Sequence, residues 1–436
     1  MAAGQALAHT APAPAAEETI GLHGQATYVW QAKPGLAAAY SGPNSLRTAH
    51  ERSYSFTATA AAGLRHWAGA EAYVNTELVQ GVPLSGLVGL GGLNNSELQK
   101  TAGSKPKLNR ARAFLRQSWS LGSTRESTRE GARETVASDF NQLSGTQATQ
   151  RLVLSVGNLA VSDLFDDNRY AHDGRAQFLN WAFLSHGHYD FAADSRGYSQ
   201  GAALEWINPD WALRGGHFEV PRESNGLALD GHIGKVHGDQ LEVERSHRLL
   251  GEAGTVRLLL FRNVATMARF DEALAVAVAA RAAPVLDGVR RLQAKRGWGL
   301  AFEQTLNPTL GGFVRLGRHD GRTEVYSFAA IDNALSAGLV CKGATWQRSG
   351  DQFGLAFASQ GLSAPHRRYA TAGGSDFSIG DGTLRYGRET IIEATYTAAL
   401  VRSLWLTLDF QHIKNPAYNR DRGPAQTLAL RLHAEL

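Results

Sequence analysis

The chain has one cysteine in 436 residues, Cys341. That excludes an intramolecular disulfide and a zinc site built from several thiolates. Its setting, Gly338-Leu-Val-Cys-Lys342, is an apolar strand pattern and makes it a wall residue without chemistry. The chain also lacks any uncharged apolar run of eighteen residues, so it has no membrane-spanning helix. It lacks charge of one sign: the net charge is +4 and acidic and basic residues are interspersed, with no nucleic-acid face or basic tail. No H-E-x-x-H or Walker sequence occurs, which removes common signatures of metal-dependent hydrolysis and nucleotide chemistry. The opening, Met1 to Ala8, has neither a basic nor an apolar export region, although Ala6-Leu-Ala8 is like a cleavage site. Residues 1–18 are expected to be a flexible tail, and residues 19–436 one folded unit.

What is present is alternation. In a strand successive side chains point to opposite faces. Leu428, Leu430, Leu432, Ala434 and Leu436 take one parity, and Thr427, Ala429, Arg431, His433 and Glu435 the other. The same pattern recurs along the chain. Leu22, Ala26, Tyr28 and Trp30 oppose His23, Gln25, Thr27 and Gln31; Tyr54, Phe56, Ala58 and Ala60 oppose Ser53, Ser55, Thr57 and Thr59. Ala72, Val74 and Leu78 oppose Glu71, Asn75 and Glu77; Leu152, Leu154 and Val156 oppose Arg151, Val153 and Ser155. A soluble sandwich buries its apolar face inward, and a membrane barrel turns it outward to lipid. Three features favour the barrel. The apolar face is often small or aromatic, the strands span both termini with no separate core domain, and the apolar parity excludes charge almost throughout. A lipid-facing Arg or Lys costs about 2–4 kcal/mol at the midplane.

Long Gly-, Asn- and Ser-rich segments separate the strands: about 81–108, 125–150, 162–199 and 222–239. Segments of this length are usually functional. In a barrel they would form the outer mouth or fold inward. Asp271 to Gln293 has helical composition interrupted by Pro284, which predicts a short helix or two within a loop.

The densest polar segment is Gly157 to Trp181. Asp163, Asp166, Asp167, Asn168, Arg169, Asp173 and Arg175 crowd there beside Tyr170 and Trp181. Carboxylates, guanidinium groups and amides suit hydroxyl-rich solutes, and aromatic faces suit the apolar side of a sugar ring. The alternative is an internal ion-pair network pinning a loop to the wall. The segment lacks the Gly and closing Glu of a calcium loop, so no metal and no cofactor are expected.

This segment resembles the signature of the carbohydrate-selective porins of the OprB type. So do Gly81 to Leu93 with Glu97-Leu-Gln-Lys100, Arg110 to Gln117, Asp194 to Tyr198, Trp211 to Phe218 and Asn415 to Pro424. The resemblance implies an all-β fold, a sixteen-stranded antiparallel transmembrane barrel in a Gram-negative outer membrane. It implies short periplasmic turns, external loops folded into the lumen and gradient-driven passage of sugars. Leu436 departs from the Phe that commonly ends such barrels. The implied partners are small hydrophilic solutes, sugars above all, and outer-membrane lipid, with no nucleic acid and either a trimeric or a monomeric state.

Arg110, Arg112 and Arg116 read as a basic ladder on one strand face, with Arg151 starting another and Glu71 and Glu77 facing them. Opposed strips would set a transverse field that orients dipolar solutes; simple ion pairing is the other reading. A general or organic-anion channel is the near alternative. An enzyme would need a site such as His186-Gly-His188-Tyr-Asp190, which otherwise reads as an exposed loop turn.

Overall fold

The computed structural model describes residues 17–121, 133–327 and 329–436. Most of the expected tail, residues 1–16, lies outside them, as does part of the segment from 125 onward. Glu18 itself is held: its carboxylate accepts the Ser138 hydroxyl at 2.6 Å and the Ser144 N–H at 2.9 Å.

The alternating segments form strands in sequence. The first eight are β1 (Ile20–Lys33), β2 (Glu51–Trp67), β3 (Ala70–Val82), β4 (Lys107–Ser120), β5 (Arg133–Val136), β6 (Gly145–Ala148), β7 (Arg151–Leu159) and β8 (Ser199–Ile207). The next five are β9 (Trp211–Phe218), β10 (His237–Leu249), β11 (Glu252–Met267), β12 (Arg291–Asn307) and β13 (Leu310–His319). The last five are β14 (Asn333–Lys342), β15 (Gln352–Gly361), β16 (Glu389–Val401), β17 (Leu404–Lys414) and β18 (Ala425–Glu435). All except the β5–β6 hairpin join one closed barrel of sixteen strands, each antiparallel to its neighbours. β18 pairs with β1, with Trp30 opposite Leu430 and Ala26 opposite Ala434. Closure leaves no unpaired edge, the condition for a sheet in lipid.

The faces are those of a membrane barrel. Leu428, Leu430 and Leu432 are 42%, 41% and 41% exposed on the outer wall, whereas Thr427, Ala429, Arg431 and His433 are buried inside. Trp119, Trp206 and Trp211 are exposed on the outer wall towards the end that carries the chain termini. That is the aromatic girdle expected at a membrane interface.

The two ends differ. At the terminal end the connections are tight, as at 68–69, 208–210, 250–251, 308–309 and 402–403. The opposite end carries the long loops 34–50, 83–106, 160–198, 219–236, 268–290, 320–332 and 362–388. The β4–β7 connection, 121–150, breaks this rule: it is long yet leaves from the terminal end, and it contains the β5–β6 hairpin. The expected helix appears as α2 (Phe270–Ala280), with α1 (Trp181–Leu184) a single turn before it. α2 closes on Arg281 in the left-handed region, before Pro284. A further helix, α3 (Ala364–Thr371), was not foreseen; its N-cap Ser363 accepts the His366 N–H and Pro365 sits in its first turn.

Candidate functional site

Loop 160–198 folds into the lumen and is the largest contributor to the interior core. Phe165, Trp181, Tyr189 and Phe191 pack with inward-facing Phe218 and Phe261. Tyr170, Phe178 and Phe183 pack with Phe313 and Ala356. Glycine on the inner wall makes this possible. A Cβ on Gly299 would stand 2.6 Å from the His186 ring, one on Gly317 would stand 2.5 Å from His188, and one on Gly216 would stand 2.9 Å from Phe165. The wall of β9, β12 and β13 is thus hollowed to receive the loop.

Polar clamps complete the docking. Asp166 is buried; its Oδ1 lies 3.1 Å from Arg315 Nε and 2.8 Å from His186 Nδ1, and its Oδ2 accepts the His186 N–H at 2.5 Å. Burial alone would raise this carboxyl, but Arg315 and His186 together outweigh it and hold Asp166 well below the usual carboxylate range. Asp190 pairs with Lys295 at 2.7 Å and accepts the Tyr326 and Ser327 N–H groups. His188 Nε2 lies 2.8 Å from the Trp298 carbonyl. His186, His188 and Asp190 are therefore buried anchors, not the exposed turn expected, and each has a separate partner. The group with metal-ligand spacing among the described residues is elsewhere, His217, His237 and Asp239 on the outer wall.

Several expected solute contacts are corrected by burial. Asp166, Asn168 and Trp181 are 1%, 2% and 5% exposed. Asn168 caps the N–H groups of Tyr170 and Ala171, and Trp181 stacks on Phe191. Glu77 is sealed in a knot with Arg175 at 2.8 Å, Gln99 at 2.5 Å and the Tyr198 hydroxyl at 2.8 Å. Arg110 is a different correction. β4 carries an extra residue at Ala111, so Asn75 faces Arg112 but Thr76 faces Arg110. A bulge inverts the side-chain phase, and Arg110 turns to the outer face beside Leu108. The three-rung ladder is two rungs. Arg151 sits at the terminal mouth, bound to Glu134 at 2.8 Å, and Glu71 holds Arg65 at 3.1 Å and the Tyr73 hydroxyl at 2.7 Å.

The remaining residues converge. A cavity of about 330 Å³ is bounded by Arg112, Arg116, Asp163 and Arg175, with Asn75, Asn141, Gln142 and the rings of Phe114 and Phe140. Arg112 grips Asp163 through two bonds of 2.6 Å. Arg116 donates to the Asn141 carbonyl at 2.8 Å and lies over the Tyr73 and Phe114 rings. A wider vestibule of about 700 Å³ opens at the terminal end and shares Arg116 and Gln142 with the cavity. Asp167, Arg169 and Asp173 are exposed rather than buried, and Asp167 lies 3.9 Å from Arg257. Arg257 and Arg214, with Glu205, Glu242, Glu244 and Glu303, form an ion-pair lattice on the wall of β8 to β12. Sequence reasoning missed that lattice, although inward parity marks every member. It also missed Phe140, Asn141 and Gln142, which lie in an irregular connection with no period to read.

Residues 43–436 match the carbohydrate-selective porin, OprB family. The chain belongs to that family. The high-pH structure of Pseudomonas putida OprB is similar with a TM-score of 0.71 at 17% identity, covering 96% of this chain and 94% of that one. The outer-membrane channel DcaP of Acinetobacter baumannii gives 0.50 at 9% identity, covering 96% and 97%. No curated protein matches. As an OprB-family member the chain is an outer-membrane porin for the diffusion of carbohydrates, which the closed barrel and its interior loop accommodate.

Proposed function

We propose that sugars pass between loop 160–198 and the β3–β4–β7 wall, and that Arg112, Arg116, Arg175 and Asp163 form the constriction with the Phe114 and Phe140 rings. The carrying observation is the 330 Å³ cavity, where three guanidinium groups, one carboxylate, side-chain amides and two aromatic rings meet at one point. Passive selection needs groups that replace part of a solute's hydration without holding it. Guanidinium forks and the carboxylate exchange hydrogen bonds with hydroxyls, and the rings cover the apolar face of a pyranose. The charges satisfy one another when no solute is present, so the site is not a strong trap for ions. Nothing in this scheme asks for a reaction step: the protein acts as a channel and not as an enzyme. Asp167, Arg169 and Asp173 meet the solute before the constriction, from the loop side. The Gram-negative outer membrane is the setting this reading assumes.

The test is bilayer conductance with added sugars. Neutral mono- and oligosaccharides should lower single-channel current in a saturable manner, and simple organic anions should do so less. Block by carboxylic acids with no response to sugars would replace this reading with an organic-anion channel.

A further inference from the structure

The outer wall carries a second constellation that sugar passage does not use. Near the loop end, Arg296 and Arg318 point outward from β12 and β13, and Arg322 follows in the next loop. With Trp298 and Pro365 they line a pocket of about 510 Å³. Among the described residues no side-chain ion pair engages any of the three guanidinium groups, whereas the interior arginines are paired almost without exception. The carboxylate at the pocket, Asp320, is taken by the backbone N–H groups of Arg296 and Arg322, at 3.1 and 3.3 Å. Asp332 and His319, at its floor, are buried and paired with each other. The neighbouring outer-wall acid, Asp239, already holds His217, His237 and Arg262. α3 begins at this pocket, so the positive end of its dipole adds to the field.

An independent feature lies on the same strands. Phe302, Leu306, Val314, Leu339 and Phe357 stand around a trough over Gly312 and Ala337 on the outer face, with a volume of about 550 Å³. Arg296 to Phe302 along β12 is about 20 Å at roughly 3.3 Å per residue. With a tilt of about 35–45° that is about 15 Å of depth, half of a hydrocarbon core of about 30 Å. An acyl chain whose head sits at the arginines ends in this trough.

We propose that this face of the barrel is a binding site for one lipid of the loop-side leaflet that carries a phosphate monoester head. The phosphate is held by Arg296, Arg318 and Arg322 beside Trp298, and an acyl chain lies in the trough over Gly312 and Ala337. Charge decides the occupant: a second copy of the chain would have to bring an acidic patch to three unpaired arginines, and the outer-wall acids nearest them are already engaged. The proposal rests on the membrane placement of the barrel and not on the identity of the solute.

The experiment places the full chain in phosphatidylcholine nanodiscs doped with phosphatidic acid or with diacylglycerol of the same acyl chains. Retained lipid is counted by native mass spectrometry. Phosphatidic acid should be retained roughly ten-fold more tightly, because charge-assisted bonds to Arg are the strong class. The triple variant R296Q/R318Q/R322Q should bring the two lipids to parity, and A337W should weaken phosphatidic acid while leaving the arginines intact. Heat-modifiable migration and unchanged conductance show that each variant is folded. Equal retention of the two lipids by the unaltered protein overturns the proposal. So does inorganic phosphate competing as well as phosphatidic acid, which would make the pocket a site for free anions. Loss of an oligomer in A337W, with no lipid retained by the unaltered chain, would assign the face to subunit contact instead.

Discussion

Arg110 and Arg112 stand two positions apart and serve different media. Alternation alone puts them on one face; the extra residue at Ala111 inverts the phase between them, and nothing in Arg-Ala-Arg marks the bulge. The difference is measurable. Arg112→Ala should change ion selectivity and weaken sugar block by about ten-fold, since hydrogen bonds to charged groups contribute about 1.5–3 kcal/mol. Arg110→Leu should leave both unaltered. Unchanged single-channel current and selectivity in the Arg112 variant would remove it from the constriction. Asp166 makes a second point at this scale. Its type and crowded neighbourhood were legible, but not its burial against Arg315, which lies far along the chain. A carboxylate whose folded pKa is depressed contributes stability above its unfolded value, and that stability is lost as pH falls through the folded value. Loop 160–198 should therefore stay clamped at neutral pH and loosen only in acid, below the ordinary Asp range. Asp166→Asn should cost about 3–5 kcal/mol of docking and abolish that acid limb, as hydrogen exchange of the loop would record.

Loops were recognisable from their Gly, Asn and Ser content, and the resemblance implied that external loops fold into the lumen. Where it docks was not legible, because the receiving surface is an absence of side chains: Gly299 and Gly317 on β12 and β13, and Gly216 on β9. A glycine within a strand pattern announces a bulge, a bend or a close approach without saying which. Gly299→Val would set a branched side chain against His186, an overpacking cost of about 1–3 kcal/mol. The expected outcome is a displaced loop, larger conductance and weaker sugar block in the bilayer. Conductance identical to the unaltered chain would mean that the loop does not narrow the path. α3 escaped notice for a related reason. It is only two turns long, and its signals, Ser363 and Pro365, are common to turns as well.

At the scale of the molecule the alternation carried the argument. A period of two, apolar on one parity and nearly free of charge there, describes a wall between lipid and water, and the closing pair β1–β18 follows from it. The strand number did not come from the period. It came from resemblance, because bulges and short hairpins blur any count by eye; β5 and β6 are strands that do not join the wall. The energetic asymmetry of the wall can be checked at Leu430, which faces outward at mid-strand. Leu430→Arg should cost about 2–4 kcal/mol and lower the yield of heat-modifiable barrel, whereas Leu430→Phe should be accepted. Equal yields for the two would contradict a lipid-facing position.

The long connection at the terminal end has an electrical consequence. Phe140, Asn141 and Gln142 reach the constriction from that end, so its cluster of arginines lies beside a vestibule of about 700 Å³ on one side and under the packed loops on the other. A constriction of paired charges set off-centre in a tapering passage is met by ions through a wide approach on one side and a narrow one on the other, so the two polarities of voltage are not equivalent. The channel should rectify, and the preferred direction of current would report which way it is inserted in a bilayer.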